Sequence, residues 1–381
     1  MKKVTALFLI LVILLFAGGC WDWRIIDDLA IIFGMGIDPV ENEPEMLQIT
    51  FVNPVFNPKA QEKSITRTLR GRSLQQTLFN LQHQKGEQPV LGTVAVIIFS
   101  EDAARGNGMQ RTLMQFDQIR DNSPLAWLCI VREAAAQKVL NLNLPDEPRP
   151  AIFLADLLKQ NYAEGRIPQI TASTYWIKTY TPGITPVIPV IALAGPEGEE
   201  PNGILLAGLA VIDEAGRMRG SLSDTETLIY MMLAGDMLRG RFYTQIDFPD
   251  QTNLVITAFI EKSSSSVKTK IVDGNAVIEI KADLVLNGMN ADLAQENILR
   301  EDVFRELEES LARDIEGNMR RVIKKTQEWE SDIFGFGQLV RAQNPQWFKE
   351  ISWAREYSES DIRVEAAVKI KRLGTLANPT R

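Results

Sequence analysis

The run EDVFRELEESLARDIEGNMRRVIKKTQEW, residues 301–329, decides how the second half of this chain is built. Phe304, Leu307, Leu311, Ile315, Met319, Val322 and Trp329 recur three, four or seven apart and so fall on one stripe of an α-helix. The other face carries Glu301/Arg305, Glu309/Arg313 and Glu316/Arg320, each an acid four residues ahead of a base. Such pairs contribute about 0.2–0.5 kcal/mol apiece, while each large apolar side chain contributes about 1.5–3 kcal/mol on burial. The apolar stripe is the stronger demand. It reads as a core contact against neighbouring strands, with docking of a partner helix as the other way to cover it.

Those strands lie just upstream. Asn253–Ile260, Val267–Val272 and Ala276–Leu286 alternate as an antiparallel meander, with Asp273-Gly274 as a tight turn and Ser263–Ser266 as a solvated loop. Ile204–Ile212 is a further strand, closed by a turn at Asp213–Gly216. Ser223 and Glu226 stand at capping-box spacing before another helix. After the long helix, Asp332–Gly337 returns the chain to the core, and Ile362–Ile370 is a last strand.

The first half alternates differently. Leu29–Ile37, Met46–Val52, Val94–Phe99 and Ala126–Val131 read as strands, with Thr66–Gly71 a weaker one. Helices follow Ser73 and Ser100 as N-caps, and others lie near 133–140 and 151–162. Three prolines between Asn143 and Pro150 mark an internal break, and the Pro- and Gly-rich stretch 180–202 marks a linker. The expected organisation is a leader over 1–19, an N-terminal domain over 20–200 with a sub-boundary near 143–150, and a C-terminal domain over 201–376. The fold class is α+β and multi-domain, two to three α/β-type units with mixed and antiparallel sheets and the long amphipathic helix in the C-terminal half. A length of 381 residues suits that count.

At the N-terminus Lys2 and Lys3 precede the apolar run Val4–Ala17, too short to cross hydrocarbon and of the length of a secretory leader. Small residues Ala17-Gly18-Gly19 then meet Cys20, as a lipoprotein signal peptidase requires, although Ala17 stands where such boxes more often carry Leu. Cys20 is thus the candidate lipid anchor. Two acyl chains on one residue supply the double signal that stable attachment needs. An ordinary leader that leaves Cys20 free is the alternative.

The chain is 45% hydrophobic and 24% charged, with formal charge −8. That balance excludes a general nucleic-acid partner, which would need a basic patch. Cys129 is the only other cysteine and sits in an apolar run, so it reads as a buried structural thiol. His83 is the sole histidine, which leaves no Ser-His-Asp set unless it serves, and no zinc-ligand cluster is spaced in the chain. No phosphate loop is present. Gly34-Met35-Gly36 reads as backbone turning, and Asp22, Asp27 and Asp28 as solvated or capping acids. No cofactor, metal site or catalytic residue is expected.

The opening Cys20-Trp21-Asp22-Trp23-Arg24-Ile25-Ile26-Asp27-Asp28-Leu29-Ala30 resembles the mature start of the Ger(x)C family of spore germination lipoproteins, with Ile25 where Glu is usual. Ser100–Gly106, Gly208–Ile212 and Gly220–Leu222 are similar to stretches of that family. So is the ending Asp332-Ile333-Phe334-Gly335-Phe336-Gly337, followed by Pro345, Trp347, Trp353 and a Val-rich strand up to Gly374. The resemblance implies the C subunit of a nutrient germinant receptor, without catalytic residues. It implies a place on the outer face of the spore inner membrane, held by diacylglyceryl-Cys20 in the bilayer beside membrane-spanning A and B subunits. A solute-binding lipoprotein feeding a transporter, which the length, the anchor and a Pro-rich hinge near 200 would suit, and a cell-wall hydrolase with paired carboxylates are the other classes.

Overall fold

The computed structural model describes residues 28–55, 59, 62–144, 147–196, 198–235, 240–248, 251–291, 301–373 and 376–377. The chain begins β1 (Leu29–Ile31), β2 (Gly34–Val40), β3 (Glu43–Pro54), β4 (Ser64–Gly71), α1 (Leu74–Lys85), β5 (Gln88–Val90) and β6 (Val96–Ser100). It continues α2 (Glu101–Arg105), α3 (Gly108–Asp117), β7 (Trp127–Val131), α4 (Ala136–Leu140), α5 (Pro150–Ala163), α6 (Ala172–Thr179), β8 (Val187–Ala194), β9 (Gly203–Ile212) and β10 (Met218–Leu222).

Eight of these strands form one mixed sheet in the order β10-β9-β8-β7-β6-β2-β3-β4. The middle four, β8, β7, β6 and β2, are parallel, and antiparallel hairpins flank them on both sides. Every residue of β6 and β7 is buried, the pattern of strands covered by helices on both faces. The glycines of Gly34-Met35-Gly36 are explained by that cover, not by turning. They lie inside β2, where a Cβ on Gly34 would come 2.6 Å from Ala151 Cβ of α5, and one on Gly36 would come 3.0 Å from Leu140 of α4. Gly34→Ala is therefore expected to cost about 1–3 kcal/mol by overpacking, read as a lowered denaturation midpoint with unchanged slope.

The apolar run expected as one strand over Leu29–Ile37 is two. It breaks at Ile32–Phe33, so that β1 pairs with β5 in a separate parallel ribbon while β2 enters the main sheet. The helix expected near 133–140 is confined to α4. Glu133 takes a left-handed φ of 52°, and Asp38 of β2 accepts from the Ala136 and Gln137 N–H groups at 2.7 and 3.0 Å, which sets the first turn. Helix α6 was not expected at all; Thr171 and Thr174 cap it reciprocally.

The second half follows with α7 (Asp224–Leu233), β11 (Gly240–Phe248), β12 (Gln251–Val272), β13 (Asn275–Ala291) and α8 (Glu301–Glu328). It ends with α9 (Phe336–Gln343), α10 (Pro345–Lys349), α11 (Trp353–Glu359), β14 (Asp361–Ile370), β15 (Arg372–Leu373) and β16 (Leu376–Ala377). β11, β12 and β13 form the expected meander, and β14 returns to lie parallel to β13. Ser263–Ser266 is not a loop. These serines sit mid-strand in β12, paired with Lys281–Leu284 of β13, with Ser263 and Ser265 half-buried and Ser264 and Ser266 exposed. Strand pairing along a long hairpin outweighs the weak strand preference of serine.

Helix α8 lies on β14, with β11 and α7 against its flanks. Phe304, Leu307, Leu311, Ile315, Met319 and Val322 are all buried, so the stripe is filled from within and offers no face to a partner helix. Trp329, just past α8, covers Gly220 of β10 so closely that a Cβ there would meet the indole at 2.3 Å. The stretch 180–202, expected as a linker, contains β8, which pairs antiparallel with β9 inside the first sheet. The chain passes to the second sheet only through α7. There Ser223 and Glu226 make the expected capping box, and Glu226 also pairs with Lys325 of α8 at 2.8 Å. Partial burial works against the Glu226 charge, but Lys325 and the Ser223 N–H hold its carboxyl below the usual range.

Candidate functional site: the junction around Asp332

At the turn after α8 the two halves meet in close contact. Asp332 is 1% exposed. One carboxylate oxygen accepts from the Phe334 and Gly335 N–H groups at 3.1 and 2.9 Å. The other accepts from the Gly337 N–H at 2.7 Å and from Trp353 Nε1 at 3.0 Å. A carboxylate offers about four acceptor sites, so this one is saturated. Burial pushes its pKa up to about 6, against the pull of the four donors.

Local sequence explains the turn. Gly335 adopts φ 80°, a left-handed value that glycine reaches without strain. At Gly337 a Cβ would stand 2.3 Å from Trp353 Nε1 and 2.7 Å from the Gly183 Cα. Gly183, between β8 and α6, is equally confined by Gly337, and the Thr185 N–H donates to the Asp332 carbonyl at 2.7 Å. Phe334 stacks on Phe336 at 5.1 Å and approaches Tyr230 of α7 at 6.0 Å. Tyr357 of α11 lies 6.4 Å from Phe336 and exchanges a 2.7 Å hydrogen bond with Thr326 of α8. The expected aromatic return to the core is thus present, and it also clamps the first sheet to the second. Its first-half partners, Gly183 and Thr185, were missed by sequence reading. A Pro-Gly pair in a loop signals a turn but does not say what packs on it.

Beside this clamp a cleft of about 390 Å³ runs between residues 179–186 and the Glu330, Asp332 and Trp353 side. Asp332 borders this cleft with its acceptor sites already filled, and Asp213, Glu214 and Glu330 line it as well. The other residues singled out by sequence are scattered. Cys129 is fully buried in β7, and burial pushes its thiol pKa far up, which keeps it from being a nucleophile. His83 stands at the exposed end of α1, its ring on Phe79 at 4.0 Å and Nδ1 3.2 Å from the Phe79 carbonyl. Asp28 is exposed. Cys20, Asp22, Asp27 and Gly374 lie outside the described residues. Among the described residues no group of three or more His, Cys, Asp and Glu is placed to hold a metal ion. No described helix is long and apolar enough to cross a membrane.

The same chain matches two family models in series. The first, described as the spore germination protein N-terminal domain, matches residues 22–193, and the second, described as spore germination B3/GerAC-like, C-terminal, matches residues 207–374. The chain belongs to this spore germination protein family. The first matched stretch ends within β8 and the second begins within β9, on either side of the turn that joins these two strands. Spore germination protein KC of Bacillus subtilis is 22% identical, with 100% of this chain and 98% of that protein covered. Spore germination protein B3 of the same organism is 24% identical over 99% of this chain and 100% of its own length. GerQC of Bacillus cereus is 23% identical over 98% and 99%. In three dimensions the chain is similar to the crystal structure of the GerBC protein, with TM-score 0.59, 18% identity, and coverage of 89% of this chain and 97% of that one. That likeness fixes the fold: α+β, in several units, with mixed and antiparallel sheets.

Proposed function

We propose that this family member is the lipid-anchored C subunit of a nutrient germinant receptor. Diacylglyceryl-Cys20 holds it on the outer face of the spore inner membrane, where it docks with the A and B membrane subunits and couples germinant sensing to release of spore solutes. It acts without catalysis. The observation that carries this reading is positional: the family match starts at residue 22, directly after the small-residue junction and Cys20. The junction around Asp332 supports it, because its one buried carboxylate spends all its acceptor capacity on holding the fold together.

Two measurements test the proposal. Spores of the host lacking this chain should release their solutes more slowly on addition of nutrient, and a tagged copy should co-purify with two multi-span proteins from detergent-solubilised spore membranes. Normal germination with no such partners would refute it. A solute-binding lipoprotein would behave differently in a third test. A small nutrient at about 100 times its dissociation constant would stabilise such a protein by about 2.7 kcal/mol. The full chain is expected to show no saturable thermal shift with amino acids or sugars.

A further inference from the structure

The length of chain between the anchor and the fold restricts which side of the body can face the bilayer. Cys20 and Leu29 are nine positions apart, and an extended chain spans at most about 3.6 Å per residue, so β1 begins within about 32 Å of the Cys20 Cα. β1 pairs in parallel with β5, Leu29 opposite Gln88 and Ile31 opposite Val90. Beside β5 opens a groove of about 360 Å³ between α1 and the loop after α3, its apolar lining of Leu78, Phe79, Pro89, Val90 and Ile119 interspersed with three glutamines and the charged pair Arg120 and Asp121. Phe79 at its rim is 59% exposed, and Leu125, at the far end of the same loop, is 70% exposed. Leu125 stands two residues before Trp127, which is level with Val96 and Gly34 in the sheet. Phe79, the groove and Leu125 therefore share the end of the parallel strands from which the tether leaves.

We propose that this end of the first sheet lies against the bilayer surface, with Phe79 and Leu125 seated among the lipid headgroups. The inference rests on acylation of Cys20. The occupant is lipid because the tether holds this apolar face within reach of the membrane at all times, which makes even a weak apolar contact effectively intramolecular. Charge does not draw the body down, since the chain is acidic overall at −8. The contact orients the protein; the acyl chains hold it.

The test uses the full acylated chain reconstituted in phosphatidylethanolamine/phosphatidylglycerol vesicles, carrying Phe79→Cys, Leu125→Cys or Leu205→Cys labelled with an environment-sensitive fluorophore. Cys129 is fully buried and Cys20 is blocked as a thioether, so each label is unique. Leu205 is 46% exposed and pairs with Ala192 at the opposite end of the sheet, level with the far end of β7. Labels at 79 and 125 are expected to lose quenching by aqueous iodide and to gain quenching by nitroxide-bearing lipid, while the label at 205 keeps its aqueous behaviour. Equal iodide access at all three sites in vesicle-bound protein would overturn the proposal and leave the anchor intact. Protein that fails to float with the vesicles would overturn the anchor, and the proposal with it.

Discussion

Asp332→Ala is expected to lower the unfolding free energy by about 3–5 kcal/mol, because it leaves four donors at the junction without their acceptor. Three backbone N–H groups and the Trp353 indole N–H all lose their acceptor, and an unsatisfied buried donor costs about 1–3 kcal/mol. Folded proteins hold about 5–15 kcal/mol in total, so this one change removes a large share. Trp353→Phe, which removes one donor and leaves a smaller aromatic ring in its place, should cost about 1–2 kcal/mol. Urea denaturation of the two variants checks both values, and a cost for Asp332→Ala no larger than that of Trp353→Phe would remove the carboxylate from the centre of the junction.

The same residue predicts a pH dependence. Its folded pKa, about 6, lies above the ordinary value of 3.8 because of burial. The folded state therefore binds the proton more tightly than the unfolded chain, and stability from this group is fully present below about pH 4 and lost as pH rises through 6. Relative to Asp332→Asn, the natural chain should lose roughly 3 kcal/mol between pH 4 and 6 and then stay level, at 1.36 kcal/mol per pKa unit. A flat difference across that range would show that the four donors fully offset burial.

Cys20→Ala should have the largest effect on location. Each buried methylene of an acyl chain contributes about 0.8 kcal/mol, and two chains make attachment stable where one is marginal. On the proposed anchoring, losing both leaves an acidic body, of formal charge −8 over the full sequence, with no described helix fit to cross a membrane. The variant is expected to move from the membrane fraction to the soluble one. Retention in the membrane at the natural level would mean that contacts with other proteins, not lipid, hold it there.

Much of the architecture is legible in local sequence because its causes are local. The α8 stripe is set by the helical repeat. Ser73, Ser100 and Ser223 cap helices through side-chain oxygens facing N–H groups three residues on. The features that escape reading depend on residues far away in the chain. Ser263–Ser266 become strand only because β13 is there to pair with them, and α4 begins where Asp38 supplies a carboxylate. Gly34 and Gly36 look like a flexible pair until α4 and α5 are seen pressed against them. Helix α6 was missed for a different reason: its capping box closes with Thr174 in place of the Glu or Gln that usually marks one. The Asp332–Gly337 motif stands out in sequence as an aromatic turn, yet nothing in it names Gly183 or Thr185 as the surfaces it closes on.

The most direct test of the whole account is the intact mass of the protein extracted from spore membranes. The expected mass is that of a chain that begins at Cys20 and carries a diacylglyceryl group on its sulfur. A chain that keeps Met1, or one that begins at an unmodified residue, would contradict it.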